Sequence, residues 1–211
     1  MSDIIRIPCG SVNAFLIKEK SHAVLVDTGL SGYAEKIYDV CKDSHVEGII
    51  LTHGHIDHIQ NTAVLSKRLN VPIAIGIGDE DLVDDNTAQS MYGRGAIGKI
   101  FCYFSQKSIK SNPIEKFKPT IFLKDGDSLE CFGIKGKIIG LPGHTKGSIG
   151  IDVEQRDLIV GDSLMNILKP TISLLYENKI QLELSARKIS DLGNRLIHFG
   201  HGKSVQNRKW I

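Results

Sequence analysis

The chain has 211 residues, of which 41% are hydrophobic and 24% are charged, and its formal net charge is +2. These values exclude an intrinsically disordered chain, and no stretch approaches the roughly 18 consecutive apolar residues of a membrane span. The length provides enough apolar material for a buried core and predicts one domain over residues 1–211.

Short apolar runs rich in β-branched residues predict strands, and apolar residues three or four apart predict helices. In chain order, strands are predicted at 4–7, 14–17, 23–26, 46–51, 71–77, 137–141, 157–160 and 195–199, with a strand, a turn and a second strand over 117–129. Helices are predicted at 33–42, 61–69 and 180–192. The segment 86–118 is rich in Gly, Lys and aromatic residues, and we expect helices or a lid there.

The sequence also contains a weak internal repeat. Residues 23–30 are similar to residues 157–164, and residues 49–53 are similar to residues 137–144. This weak repetition indicates two β-rich halves packed sheet on sheet, with helices on the outside.

Charged residues are segregated in the middle of the chain. The acidic members are Asp79, Glu80, Asp81, Asp84 and Asp85, and the basic members are Arg94, Lys99, Lys107, Lys110, Lys116 and Lys118. We expect two solvated faces, with a basic arm over an anion-binding pocket as the alternative. The net charge is too small to indicate a nucleic-acid partner.

The N-terminus and the cysteines indicate a cytoplasmic protein. The first residues carry Asp3 and a β-like run where a secretory signal would have basic residues and an apolar core. The four cysteines stand far apart without a Cys-x-x-Cys pair, so we expect reduced thiols, mostly buried, that bind no metal.

The strongest motif is His53-Gly54-His55-Ile56-Asp57-His58. After a strand, residues two apart point the same way, so His53 and His55 can hold one ion. The chain then turns into a helix, from which Asp57 and His58 point in different directions. Two ligand pairs within six residues suit two neighbouring metals better than one.

Three further candidate ligands each follow a strand-like run, namely His144, Asp162 and His201. Functional residues collect where strands end in loops, because a rigid sheet positions them. A structural zinc site closes with four ligands, most often including cysteine. Seven candidate ligands therefore indicate a site for two metals.

Five motifs in order resemble the metallo-β-lactamase superfamily. They are Val26-Asp27-Thr28-Gly29, the motif from Thr52 to His58, Pro142-Gly143-His144-Thr145-Lys146-Gly147-Ser148, Gly161-Asp162 and Gly200-His201-Gly202. The resemblance implies an α/β fold of four layers, an αββα sandwich with two mixed β-sheets, helices on the outer faces and the metals at one edge.

The resemblance also implies a ligand set. His53, His55 and His144 would hold the first ion, Asp57, His58 and His201 would hold the second, and Asp162 would bridge both. Asp27 would orient the metal loop from behind, although an aspartate that caps a turn explains it equally well. Thr145 and Ser148 are expected to cap a turn or helix, with a supporting role behind the ligands as the alternative.

Two adjacent divalent ions would share a hydroxide, because bound metal lowers the pKa of water toward about 7. We expect this hydroxide to attack a carbonyl, with the first metal polarising the carbonyl oxygen and the second stabilising the leaving group. Asp57 is the expected proton carrier and catalytic residue. The ligands favour zinc, and iron or manganese are alternatives.

Differences between this sequence and known subfamilies of the superfamily argue against several substrate classes. Class B β-lactamases usually have a cysteine ligand and an export signal, and glyoxalase II enzymes add a C-terminal helical domain, whereas this chain stops at Ile211. Lactonases carry a tyrosine three residues after the bridging aspartate, where Met165 stands here, although Tyr92 or Tyr176 could substitute. His58 and His201 argue against single-iron persulfide dioxygenases.

The resulting prediction is a glyoxalase II-like metal-dependent hydrolase of a thioester, ester or lactone, with the substrate class taken from the family alone. The alternatives are a phosphodiesterase or ribonuclease, supported by the basic segment, a non-hydrolytic diiron redox protein, and a metal-binding scaffold without turnover. We expect a small-molecule substrate, neither a membrane nor a nucleic-acid partner, and we leave a homodimer open. Of the other histidines, His22, His45 and His198 are expected to be surface or ordinary strand residues.

Overall fold

Two mixed β-sheets form the centre of the computed structural model, which describes residues 1–111 and 114–211. The strands of these described residues are, in chain order, β1 (Asp3–Cys9), β2 (Val12–Glu19), β3 (His22–Val26), β4 (His45–Leu51), β5 (Ile73–Gly76), β6 (Tyr92–Gly93), β7 (Ile121–Leu123), β8 (Gly136–Gly140), β9 (Ile149–Val153), β10 (Asp157–Ile159), β11 (Leu164–Met165), β12 (Thr171–Ile172), β13 (Leu175–Tyr176), β14 (Leu196–His198) and β15 (Val205–Gln206). The helices are α1 (Ala34–Cys41), α2 (Ile56–Ile59), α3 (Thr62–Leu69), α4 (Glu80–Asp84), α5 (Gly95–Ser111) and α6 (Lys179–Asp191).

Each half of the chain builds one of the two large sheets. The first sheet has the order β1-β2-β3-β4-β5-β7, antiparallel from β1 to β3 and parallel from β3 to β7. The second has the order β15-β14-β10-β9-β8, in which the pair β10 and β14 is parallel and the other pairs are antiparallel. This division agrees with the internal repetition of the sequence.

The side chains of the central strands alternate between two apolar layers. In β3, Leu25 packs on the outer side with Ile37 of α1, whereas Val24 packs between the sheets. In β10, Leu158 packs on the other outer side with Leu182 of α6. Because both faces of these strands are buried, their sequences are continuous apolar runs. The predicted αββα sandwich of two mixed sheets with outer helices is confirmed.

The three predicted helices are found as α1, α3 and α6, within one residue of the predicted bounds. Asn178 caps α6, since its side chain accepts hydrogen bonds from the amides of Ile180 and Gln181, both at 3.1 Å. α3 ends at Asn70, whose φ of +55° is the left-handed conformation typical of helix ends.

The predicted pair of strands over 117–129 is wrong in its second half. β7 forms, but Ser128 makes only a single bridge to Lys137, and a 3₁₀ turn follows at Glu130–Phe132. The chain leaves the sheet there because Leu129 and Phe132 are drawn into the core between the sheets. β9, a fully buried strand, was not predicted, and neither were the short pairs β6 with β13 and β11 with β12.

The segment 86–118, expected to form helices or a lid, contains the 17-residue helix α5. Residues 112 and 113 of this segment lie outside the described residues. The helix exposes several large apolar side chains, including Ile100, Tyr103 and Phe104. No helix in the described ranges has both the length and the apolar character that crossing a bilayer requires.

Candidate metal centre

Seven histidine and aspartate side chains meet at one edge of the two sheets. The loop after β4 and the start of α2 carry four of them, and the segments after β8, β10 and β14 carry one each. They are His53, His55, Asp57, His58, His144, Asp162 and His201. The structure therefore brings together all seven side chains that the sequence analysis singled out as ligands.

Among the described residues, the ligand atoms fall into overlapping groups in which all atoms lie within 4.8 Å of one another. The first group is His53, His55 and His144, the second group is Asp57, His58 and His201, and a third joins His53 and His58 to Asp162. The first and second groups match the two ligand sets expected from the resemblance.

Asp162 lies between the two groups. One carboxylate oxygen, Oδ2, is 3.1 Å from His201 Nε2 and 3.9 Å from His144 Nε2. The other, Oδ1, is 3.5 Å from His58 Nε2. Gly200 makes this approach possible, because a Cβ there would lie 2.3 Å from Asp162 Oδ1. One carboxylate can thus reach an ion in either group.

The donor set fits a pair of divalent cations. His53 Nε2, His58 Nε2 and Asp162 Oδ1 are buried and have no hydrogen-bond partner among the described residues. Buried polar atoms are normally paired, so three unpaired donor atoms in one group are what a metal-binding site requires. Imidazole nitrogens and carboxylate oxygens are ligands for zinc and also suit iron or manganese.

Asp27 holds the second group from behind. It is fully buried with φ of +57°, and its Oδ2 lies 2.8 Å from His58 Nδ1. The same carboxylate accepts hydrogen bonds from the amide and the hydroxyl of Thr52, each at 2.8 Å. A hydrogen bond from Nδ1 to this carboxylate leaves the His58 Nε2 lone pair facing the site.

Backbone carbonyls orient two other imidazoles in the same way. His144 Nδ1 lies 3.0 Å from the Leu175 carbonyl oxygen, and His201 Nδ1 lies 2.7 Å from that of Ser11. In each case a donating Nδ1 leaves Nε2 available as a ligand. The ligand nitrogens are therefore positioned by segments from both halves of the chain.

The two groups differ in electrostatic character. Burial lowers the pKa of His55 to about 3 and lowers the pKa of His53 well below its ordinary value. Burial also opposes charge on His58, but the nearby carboxylates, mainly those of Asp162 and Asp27, raise its pKa to about 10. The first group consists of neutral imidazoles, which is the form that binds metal, and the second is surrounded by carboxylates.

Asp79 supports the site, although it was expected to lie on a solvated acidic face. The side chain is fully buried. Its Oδ2 accepts hydrogen bonds from Gly54 N at 2.9 Å and Thr145 Oγ1 at 2.7 Å, and its Oδ1 accepts from Gly147 N at 2.7 Å and Gln89 Nε2 at 3.1 Å. Asp79 thus ties the loop of His53 and His55 to the loop of His144, and no sequence signal separated it from its acidic neighbours.

Thr145 and Ser148 are buried behind the ligands. Their hydroxyl oxygens are 2.6 Å apart, and the Ser148 hydroxyl accepts a hydrogen bond from the Thr145 amide at 3.1 Å. The pair therefore closes a turn and, through the bond from Thr145 to Asp79, also supports the loop that carries His144. Both expected functions of the pair are compatible with these contacts.

A cavity of about 640 Å³ opens beside the seven side chains. Met165 lines it, but neither Tyr92 nor Tyr176 is among the described lining residues. These tyrosines instead face each other from β6 and β13, with ring centroids 5.9 Å apart. The expectation that one of them could replace the lactonase tyrosine is therefore not supported by their positions.

The remaining histidines do not belong to the groups that could hold a metal ion. His45 is exposed and His22 is half-buried, and both contact Glu47. His198 is a buried strand residue whose ring nitrogens lie 2.9 Å from Asp157 Oδ1 and 2.8 Å from Ser204 Oγ. All four cysteines are free, Cys9 and Cys41 being buried, Cys102 half-buried and Cys131 exposed.

Comparisons with known proteins agree with this geometry. The sequence profile described as the Metallo-beta-lactamase superfamily matches residues 7–201. An uncharacterized protein of Aquifex aeolicus is 30% identical over 87% of this chain and 81% of its own length. Hydroxyacylglutathione hydrolase 1 of Vibrio vulnificus is 26% identical over 93% of this chain, which spans only 64% of that protein.

Solved structures share the fold at low sequence identity. The BLEG-1 B3 metallo-beta-lactamase superposes with a TM-score of 0.75 at 21% identity, covering 97% of this chain and 94% of that one. TTHA1623 in a di-iron-bound form gives a TM-score of 0.74 at 20% identity, covering 99% of this chain and 100% of that one. With the profile match over almost its whole length, the chain belongs to the metallo-beta-lactamase superfamily.

Proposed function

We propose that the chain is a binuclear metal-dependent hydrolase that cleaves a thioester, ester or lactone. The observation that carries this proposal is the pair of ligand groups joined by Asp162, with unpaired buried atoms facing between them. His53, His55 and His144 would hold one cation, and Asp57, His58 and His201 the other. Two bound divalent cations would supply an activated water at neutral pH and a Lewis acid for a carbonyl oxygen.

Asp57 is the proposed proton carrier. Its side chain is 31% exposed, compared with 8% for Asp162, and it lines the cavity. Its Oδ2 lies 3.3 Å from His201 Nε2, which fixes the carboxylate at the mouth of the site. In this position Asp57 can take a proton from the attacking water and deliver one to the leaving group.

The other residues hold this arrangement in place. Asp27, the Leu175 carbonyl and the Ser11 carbonyl fix the orientation of three imidazoles, so that little reorganisation is needed when substrate binds. Asp79 holds together the two loops of the first group.

The choice of a thioester, ester or lactone rests on likeness to relatives. One relative is named as a hydroxyacylglutathione hydrolase, at 26% identity. Met165 in place of the lactonase tyrosine favours the open-chain esters over lactones. Zinc is the proposed metal, and the di-iron form of TTHA1623 makes iron the first alternative to test.

A phosphodiesterase is less well supported. Its basis in the sequence was the basic segment, and Arg94, Lys99 and Lys107 are not among the described residues that line the cavity. Lys116 and Lys118 are exposed and are also absent from that lining. The basic segment therefore provides no contact that favours a phosphate-ester substrate at the site.

Parallel assays of one thioester and one chromogenic phosphodiester, at equal zinc loading, test the proposal. We expect thioester hydrolysis that falls about 100-fold or more in Asp57→Asn, because a positioned acid–base group contributes at least that much. Asp39→Asn, an exposed carboxylate on α1, is the matched control and keeps full activity. Cleavage of the phosphodiester alone, or unchanged thioester hydrolysis in Asp57→Asn, would contradict the proposal.

A further inference from the structure

The cavity beside the ligand groups has a volume in the range of small-molecule sites, about 640 Å³. Five of the seven ligand residues line it, namely His55, Asp57, His144, Asp162 and His201. A substrate bound here therefore reaches both groups at once. The two ends of the cavity determine which chemical groups the substrate can carry on either side of the bond that is cleaved.

The wall beside the first group is apolar. Leu175 lies next to His144, since its carbonyl oxygen contacts His144 Nδ1 at 3.0 Å. The helix α5 packs against β13, the strand that contains Leu175, and adds Phe101 and Ile109 to the lining. Met91 and Leu174 add further apolar surface to the lining. This wall offers a chain of carbon atoms a surface to pack against but no charge to pair with.

The wall beside the second group carries a positively charged side chain, that of Arg6. Arg6 Nη1 donates a hydrogen bond to the carbonyl oxygen of Gly202 at 3.2 Å, and Gly202 directly follows His201. Arg6 has the only permanent positive charge among the described lining residues. Its guanidinium is exposed, and the structure gives it no carboxylate partner in the described part of the chain. Most of its five N–H donors are therefore free for a ligand.

We propose that the cavity selects thioesters or esters that join an apolar acyl group to an anionic leaving group. This inference rests on the proposed hydrolase function. The acyl group would lie along the apolar wall beside the first group, and the anion of the leaving group would bind Arg6 beside the second. A guanidinium binds carboxylate and phosphate alike through paired hydrogen bonds, so either can supply the anion.

The reaction balances without any further reactant. A bond forms between the water oxygen and the acyl carbon, and the bond from that carbon to sulfur or oxygen breaks. One proton of the water leaves with the thiol or alcohol, and the other is released when the acid product ionises.

Binding of uncleavable amide analogues tests the anion end without any turnover. The probes are N-octanoyl-β-alanine, N-octanoyl-phosphoethanolamine and the neutral N-octanoyl-β-alaninamide, titrated calorimetrically into zinc-loaded protein. We expect at least one anionic probe to bind about 10-fold tighter than the neutral one, and this preference to vanish in Arg6→Gln. The anionic probe that shows the preference identifies carboxylate or phosphate as the natural group.

Arg187→Gln is the matched control, because Arg187 is an exposed arginine on α6 outside the cavity lining. It should keep the preference. Equal affinities for all three probes in the unaltered protein would overturn the proposal. A preference that survives in Arg6→Gln would also overturn it, since the anion would then bind elsewhere, for example at the metals.

The acyl end is tested by the length of the chain. We expect N-octanoyl-β-alanine to bind on the order of 30-fold tighter than N-acetyl-β-alanine, and Phe101→Ala to reduce this ratio several-fold. Ile97→Ala, an exposed apolar residue of the same helix outside this cavity, is the control and leaves the ratio unchanged. Equal affinity for the two chain lengths would overturn the apolar acyl assignment.

Failure of this inference is distinguishable from failure of the proposed function. Thioester hydrolysis without any preference among the analogues would refute the substrate class and leave the hydrolase intact. Analogue preferences of the expected kind, with no hydrolysis of any thioester or ester, would refute the hydrolase alone.

Discussion

The two groups of potential metal ligands consist of different kinds of side chain. The first consists of three buried imidazoles, which burial keeps neutral, and no carboxylate of the described residues belongs to it alone. The second contains Asp57, is backed by Asp27 and opens toward the cavity. The first group is therefore suited to hold an ion by geometry and the second to hold one by charge, while both groups contribute residues to the cavity lining.

This difference predicts unequal roles. An ion in the first group would be positioned mainly by loops that Asp79 ties together. An ion in the second would lie near the proton carrier Asp57 and near Arg6, at the end where we place the leaving group. Among the described residues, Asp162 is the carboxylate that lies within 4 Å of a histidine from each group. The following substitutions separate these contributions.

Asp162→Ala should have the largest effect, because it removes the one carboxylate that reaches both groups. We expect metal content to fall from two ions per chain to fewer than one, and activity to fall on the order of 1000-fold. Elemental analysis after dialysis and a thioester assay measure the two effects. Retention of one full equivalent of metal per chain would contradict the bridging position of Asp162.

His201→Ala should mainly empty the second group. The imidazole contributes one ligand atom there, and the first group keeps all three of its own. We expect about one ion per chain and activity reduced about 100-fold, since the remaining ion can still act as a Lewis acid. Loss of both ions, as in Asp162→Ala, would show that the groups are not separable.

Asp79→Asn should weaken the first group selectively. An amide cannot accept hydrogen bonds from all four donors around Asp79, so the loops of His53 and His144 lose part of their connection. We expect a metal affinity about 10-fold lower at one site, as is typical when a supporting partner is lost. Stepwise dissociation constants from chelator competition measure it.

Asp27→Asn is the matched comparison, because it changes a carboxylate of the same kind behind His58. Asp27→Asn should lower the affinity for the ion of the second group, which is the ion lost in His201→Ala. Asp79→Asn should lower the affinity for the ion of the first group, which His201→Ala retains. The same ion weakened by both substitutions would contradict the assignment of one support to each group.

A role for Asp27 was expected and one for Asp79 was not. Asp27 was expected behind the metals because Val26-Asp27-Thr28-Gly29 resembles a motif of the superfamily, although an aspartate that caps a turn explained it equally well. Asp79 sits among Glu80 and Asp81 and is buried only because the distant residues Thr145 and Gly147 meet it. Such contacts depend on how the two halves of the chain pack.

The fold shows the same limit. Central strands such as β3 and β4 are continuous apolar runs because both faces are buried, and they were predicted well. β9 was missed because it directly follows the motif around His144, and two-residue strands such as β11 carry too little periodicity to be recognised. One domain over 1–211, a cytoplasmic location and a homodimer stay predictions.

The smallest expected effect comes from a surface ion pair that belongs to neither group, and it tests whether metal loss follows from instability alone. Lys188 Nζ of α6 lies 2.7 Å from Asp125 Oδ1 and lowers the pKa of that carboxyl. Asp125 therefore adds stability above its unfolded pKa, about 4, and this contribution is lost as pH falls through the lower folded pKa.

Lys188→Ala should cost about 0.5 kcal/mol or less at pH 7, because exposed ion pairs are screened by solvent, and the difference should be smaller at pH 3, which lies below the unfolded pKa of Asp125. Urea unfolding at the two pH values measures it, with Lys67→Ala, an exposed lysine of α3, as the control. Both variants should keep two ions per chain. If Lys188→Ala instead released metal, then general destabilisation would explain the losses expected for Asp79→Asn, and the separate supports of the two groups would have to be abandoned.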